Sequence, residues 1–278
     1  MIARLRHRNI VPIYTFGEQE GYCFYVMQKV EGVSLDWIIR RLRETPAQVG
    51  IEEVRSGGRG IAAVNAGNGS LGTGPAATRG LSRESWAAFA RIGIQVATGL
   101  AHAHKRGVLH NDVKPANLLL DSTGRIVITD FGAGGRLREE RLENEDTLVG
   151  TLRYMAPERL LDQCDERSDV YSLGVTLYEL TTLQCAFDSE DRGQLANLVL
   201  EGEVVSPRKL VPRLPAALET IIIKSMSRRS EDRYPTAKAM AADLLRFTNG
   251  QPIEAKSPSL ADRIRNWYTR RAARLRGE

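Results

Sequence analysis

The stretch from Leu109 to Leu120, Leu-His-Asn-Asp-Val-Lys-Pro-Ala-Asn-Leu-Leu-Leu, with Thr129-Asp130-Phe131-Gly132 close behind it, leaves this chain little freedom. Asp112 is followed two residues on by Lys114 and three further on by Asn117, and Asp130 comes after two apolar runs, Leu118 to Leu120 and Ile126 to Ile128. The runs read as short buried strands, so the polar residues fall on the loops at their ends. That residue set suits phosphoryl transfer from a metal-bound nucleotide. A transferring phosphoryl group spreads negative charge over its oxygens, so a site needs divalent metal, a nearby cation, and a carboxylate to orient the attacking hydroxyl. In this reading Asp112 orients the hydroxyl and takes its proton, and Lys114 neutralises charge near the γ-phosphate. Asn117 and Asp130 hold Mg²⁺, a hard cation that takes few oxygen ligands from protein. The plain alternative is a set of loop polar residues beside two buried strands; the spacing and the motifs downstream argue against it.

Those motifs keep one order. Gly150-Thr-Leu-Arg-Tyr-Met-Ala-Pro-Glu158 comes first, then Ser168-Asp-Val-Tyr-Ser-Leu-Gly-Val175, then Asp232-Arg-Tyr-Pro-Thr236. Together with the loop they resemble the eukaryotic-type (Hanks-type) bacterial serine/threonine protein kinases over about residues 2 to 248, and Lys114 resembles the serine/threonine rather than the tyrosine branch. The resemblance implies an α+β kinase-like fold with a complete helical C-lobe and a partial N-lobe. It also implies ATP and Mg²⁺ as cofactors and a protein substrate. Thr151 would bridge Asp112 and Lys114 at the substrate-binding end of the activation segment. Asp169 would hold the catalytic-loop backbone, His110 would pack beneath Phe131, Gly132 would be structural beside it, and Glu158 would pair with Arg233.

Residues 1–33 resemble the end of the N-lobe. His7-Arg-Asn-Ile-Val11 sits at a helix-to-strand junction, and alternation about Val11 and Ile13, then from Tyr22 to Met27, reads as two strands joined through Gly17 to Gly21. Met27 takes the gatekeeper position, and the backbone of Gln28 and Val30 in the hinge, with Leu119, would hold adenine. The family's glycine-rich loop, strand-three lysine and helix glutamate are not found in residues 1–278, whose first lysine is Lys29. Weak or no transfer by these residues alone is therefore expected, and a kinase-like binding or scaffold module stays open as a second class.

Residues 34–250 read as the C-lobe. Ser34 caps an apolar stripe at 35, 38, 39 and 42, a short helix. Residues 44–81 lose periodicity, and eight of the 24 residues from Gly57 to Gly80 are glycine, the composition of a flexible insertion. Its Gly67-Asn-Gly-Ser-Leu-Gly72 has the form G-x-G-x-x-G but no strand before it, so it reads as linker. Helical period returns from Ser82 to Lys105, with Trp86, Phe89, Ile92, Val96, Leu100 and Ala103 on one face. His102 and His104 at its end read as surface or cap histidines. Asn111 stands where many kinases carry an arginine that pairs with a phosphorylated loop residue. It supplies no charge for such a pair, although Thr147 is the candidate phosphorylation site.

The remaining bounds come from composition. The chain of 278 residues carries 39 basic and 34 acidic side chains, but six arginines against Asp262 and Glu278 lie in residues 260–278. The rest is near neutral and gives no argument for nucleic acid binding. Residues 251–278 read as a basic amphipathic segment able to meet anionic membrane peripherally. Cys23, Cys164 and Cys185 have no metal or disulfide spacing, no apolar run spans a bilayer, and the expected location is cytoplasmic.

Overall fold

The computed structural model describes residues 5–19, 22–44, 81–131 and 150–256. The expected insertion between Glu44 and Leu81, the sites Gly132 and Thr147, and residues 257–278 lie outside that description.

Helices make up the larger part: α1 (Leu35–Glu44), α2 (Arg83–His104), α3 (Glu166–Thr182), α4 (Arg192–Glu201), α5 (Pro207–Leu210), α6 (Ala216–Ser225) and α7 (Ala237–Thr248). The predicted stripe of α1 is the face it buries, Leu35, Ile38, Ile39 and Leu42, and the Ser34 hydroxyl accepts the Trp37 amide at 3.2 Å. Of the stripe predicted for α2, Trp86, Phe89, Val96, Leu100 and Ala103 are buried, and Ile92 is half-buried against the core. In α3 every residue from Ser168 to Thr182 is buried, the signature of a helix surrounded by protein. Its start is fixed by Asp165, whose side chain accepts the Arg167 amide at 2.7 Å. Both α2 and α6 pack on α3, and α7 packs on α2. Gly174 is what lets α6 approach: a Cβ there would stand 2.7 Å from the Ser225 Cβ. Below α3, both terminal nitrogens of Arg233 donate to Glu158 at 2.7 Å, and its guanidinium lies 4.7 Å from the Tyr171 ring centroid.

Among the described residues there are also two small antiparallel sheets. The first pairs β1 (Ile13–Gln19) with β2 (Tyr22–Met27). The expected connection through Gly17 is corrected: Gly17 lies within β1 opposite Phe24, where a Cβ would run into the phenyl ring. Glycine there makes room for a cross-strand aromatic rather than for a turn. The second sheet has the order β3 (Gly32–Ser34), β4 (Leu118–Asp121), β5 (Ile126–Ile128). It packs on the helices through Leu118, Leu120, Ile126 and Ile128.

The segment before β1 docks on this second sheet. Ile128 N–H donates to Asn9 C=O at 2.9 Å, and Val11 N–H to Ile128 C=O at 3.0 Å. The buried Asn9 amide also donates to Gln95 Oε1 at 2.9 Å and Ile126 C=O at 2.7 Å. At the other end, residues 251–256 form no part of a basic helix. Glu254 and Ala255 donate their amides to the buried Asp243 of α7, at 2.7 and 2.8 Å. Among the described residues no helix is long and apolar enough to cross a membrane.

Candidate active site

The site is assembled at the C-terminal end of α2 and the rim of the β4–β5 hairpin. α2 stops as Gly107 takes φ +70, and the chain turns into the loop from Val108. Pro115 to Asn117 form one 3-10 turn, and the pairing of Leu118 with Ile128 then sets Asn117 across from Thr129. Thr129 N–H donates to Asn117 C=O at 3.0 Å, so Asp130 follows one residue beyond that tie. Strand register thus brings the two predicted metal-holding residues to one rim. Asn111 and Asp130 both take left-handed backbone, φ 64 and 59, a conformation that Asn and Asp bear better than most residues and that recurs where a loop is shaped for function.

Asp112 is surrounded by donors. Lys114 Nζ stands 3.0 Å from Asp112 Oδ2, and Asn117 Nδ2 donates to that oxygen at 3.0 Å and to the Asp112 C=O at 2.8 Å. Lys114 also donates to Thr151 Oγ1 at 2.7 Å, so the lysine links the loop to the segment that Thr151 opens. Both Asn117 amide protons are committed to Asp112, which leaves its Oδ1 as an acceptor for a cation. An amide oxygen and the half-exposed Asp130 carboxylate form the hard-oxygen donor set that Mg²⁺ prefers. Among the described residues no three His, Cys, Asp or Glu gather as a metal-holding group, so nothing here resembles a zinc centre.

His110 is fully buried and its hydrogen bonds define its tautomer. The Asp112 N–H donates to Nδ1 at 3.1 Å, so Nδ1 is an acceptor and Nε2 carries the proton it gives to Thr129 C=O at 2.8 Å. Burial lowers the imidazole's pKa, against the pull of Asp169 and the Thr129 carbonyl, and the ring is neutral. It meets Phe131 edge-on with centroids 4.5 Å apart. Asp169 reaches up from α3 and accepts the His110 amide at 2.8 Å and the Asn111 amide at 2.8 Å. Burial would raise this carboxyl; the hydrogen bond and charge of His104, with His110, more than offset it and hold it below the usual range.

On the far side of β4, Leu119 is half-buried and faces away from the helical core, paired with Ser34 and Val127. β3 follows directly on Gln28 to Glu31, and Leu119 lies opposite Ser34 at its far end. The Gln28 N–H is already given to Pro12 C=O at 2.9 Å. The Gln28 N–H is therefore committed within the chain, and the exposed Met27 side chain ends β2.

Sequence reasoning missed four residues. His104 is no surface histidine: its side chain is 3% exposed and its Nε2 lies 2.7 Å from Asp169 Oδ2. Arg159 donates to the Asn111 carbonyl, and Arg43 with Tyr154 ties up Glu179. The one signal for His104 was its place at the buried end of a helix six residues before His110.

The protein kinase domain family matches residues 75–248. The chain belongs to that family. It is 30% identical over 241 residues to the serine/threonine-protein kinase PrkC of Bacillus subtilis, covering 86% of this chain and 31% of PrkC. It is 35% identical over 260 residues to the serine/threonine-protein kinase PknB of Mycobacterium tuberculosis, covering 91% of this chain and 35% of PknB. To the tyrosine-protein kinase MasK of Myxococcus xanthus it is 33% identical over 259 residues, covering 89% of this chain and 34% of MasK. The chain thus spans about a third of the length of these curated relatives. The resemblance to Hanks-type bacterial kinases and the α+β kinase fold with a helical C-lobe, both expected from the motifs, are borne out.

Proposed function

We propose that this chain carries the catalytic loop of a serine/threonine protein kinase that transfers the γ-phosphoryl group of ATP to protein hydroxyls. The observation that supports it best is the joint engagement of Asp112 by Lys114 and Asn117, with Lys114 reaching Thr151. In this reading Asp112 orients the hydroxyl and accepts its proton while Lys114 offsets charge on the transferring group. Asn117 Oδ1 and Asp130 hold Mg²⁺, which when bound neutralises the nucleotide's phosphate oxygens. Met27, Gln28, Val30 and Leu119 form the adenine end. Lys114 favours serine and threonine over tyrosine as acceptor. We place the chain in the cytoplasm, with the arginines of residues 260–278 drawing it weakly to anionic membrane.

A second reading rests on one observation: residues 1–28 contain no lysine to position the phosphates. Alignment alone can be worth roughly 7 to 11 kcal/mol of barrier in favourable cases. These 278 residues would then bind nucleotide and transfer slowly or not at all, acting as a binding module. γ-Labelled ATP with a serine-rich protein acceptor, followed by phosphoamino-acid analysis, separates the readings. Phosphoserine or phosphothreonine that is lost in Asp112→Ala, with nucleotide binding retained, supports the kinase. Binding without transfer supports the module, and transfer that survives Asp112→Ala contradicts the assigned loop.

A further inference from the structure

We propose that Arg159 is a positioning residue for the catalytic loop: its guanidinium holds the carbonyl of Asn111 and so sets the peptide group that leads into Asp112. That peptide group is gripped at both ends. Arg159 donates to the Asn111 C=O from 48 positions along the chain, and the Asp112 N–H donates to His110 Nδ1 at 3.1 Å. A hydrogen bond from a charged donor is stronger than a neutral one, and among the described residues no other group donates to that carbonyl. Asn111 needs such a grip because its φ is 64, and left-handed backbone outside glycine lasts only where surrounding contacts fix it. Its own side chain does not help: among the described residues nothing bonds the buried Asn111 Oδ1, and an amide brings no charge to the loop.

The base of Arg159 is set as firmly as its tip. It lies in the 3-10 turn Pro157–Leu161, where the Arg159 N–H donates to Ala156 C=O at 3.0 Å and the Gln163 N–H to Glu158 C=O at 3.0 Å. Glu158, one residue before it, is held by both terminal nitrogens of Arg233 and by the Ser168 hydroxyl of α3, each at 2.7 Å. The Arg233–Glu158 pair thereby reaches the catalytic loop through one half-buried arginine side chain. Without the guanidinium the Asn111–Asp112 peptide group would be free to rotate. Asp112 would then swing away from Lys114 and Asn117, which meet its carboxylate at 3.0 Å.

The test compares Arg159→Met, which keeps length and removes the donor, with Arg159→Lys, which keeps a charged N–H. Amide hydrogen exchange at Asp112 is read in the full chain, with Leu173 and Leu177 of α3 as internal controls. Arg159→Met should speed exchange at Asp112 about tenfold or more while the α3 amides hold, and Arg159→Lys should restore most of the protection. Protection of Asp112 that is unchanged in Arg159→Met, lost equally in both variants, or lost together with that of α3 overturns the proposal. Should Arg159→Met fail to fold, NMR of the unchanged chain decides: separate, slowly exchanging Arg159 Nη protons with cross-peaks to Asn111 support the grip, and averaged signals overturn it. Where transfer is measurable, kcat should fall about tenfold in Arg159→Met with KM for ATP unchanged and recover in Arg159→Lys, a part that rests on the proposed function. Exchange needs no turnover, so an inactive chain would count against the kinase reading, while the Asp112 amide would still decide the role of Arg159.

Discussion

In the helical body the large side chains are out of water, Tyr171, Leu173, Leu177 and Tyr178 among them, whereas in the β1–β2 hairpin Tyr14 is 66% and Phe16 57% exposed. The two regions also differ in how they are tied down. α3 is enclosed by α2, α6 and α7 and anchored by the Arg233–Glu158 pair. The hairpin joins the rest through the strand-like segment at Asn9 to Val11 and the tie from Gln28 to Pro12. A two-stranded ribbon is marginal by itself in water, so its order depends on those few bonds. The contacts of Asp112 with Lys114, Asn117 and His110 lie on the enclosed side, and Asp169 on α3 holds the neighbouring His110 and Asn111 amides. The loop that carries Asp112 is thus tied to the better-buried region.

The largest effect should follow from cutting the anchor of the enclosed region. Arg233 is wholly buried and also donates to the carbonyls of Arg167, Ser227 and Arg228. Arg233→Met should lower stability by about 3 to 5 kcal/mol in urea unfolding, because it strands a carboxylate and three carbonyls. A loss under about 1 kcal/mol would remove the pair from the account.

Asn9 joins the two regions, and Asn9→Ala removes a buried hydrogen bond to Ile126 and a partly buried one to Gln95. The expected cost is about 1 to 3 kcal/mol, with amides of β1 losing protection before those of α3. Equal loss in both regions would show that they unfold as one unit.

Acid should weaken the enclosed region in particular. The folded chain keeps His110 neutral, its pKa lowered from 6.5 by burial, while the unfolded chain takes up a proton below about that pH. Protons therefore favour the unfolded state, so stability that is complete above 6.5 drains as pH falls toward the lowered folded value. The slope is at most about 1.4 kcal/mol per pH unit from this group. NMR should show the His110 ring unprotonated well below pH 6.5; ordinary titration near 6.5 would contradict its burial.

The smallest effect belongs to the exposed sheet. Phe16→Ser should change stability by no more than about 0.5 kcal/mol, as surface substitutions commonly do. A cost above about 1.5 kcal/mol would mean that this face is covered after all.

Where a residue's neighbours lie close in sequence, the sequence was enough to place it. Register sets Asn117 and Asp130 at one rim, and Asn117 and Lys114 reach Asp112 from within the same loop. The apolar stripe of α1 likewise named its buried face. Residues whose role depends on distant partners were harder to read. His104 looks like a helix-end histidine until Asp169, 65 positions away, closes on it. Asn9 gives no local sign that it will meet Ile126, 117 positions on. Gly17 suggested a turn because glycine permits both a turn and a close cross-strand ring, and only the pairing with Phe24 decides between them.

Residue-resolved hydrogen exchange of the unchanged chain tests the contrast between the two regions most directly. The loop amides of His110 and Asn111 should exchange as slowly as those of Leu173 and Leu177 in α3, and about a hundredfold or more slower than those of Phe16 and Tyr25 in the hairpin. Loop amides that exchange at the hairpin's rate would contradict the claim that the catalytic loop is held by the helical body.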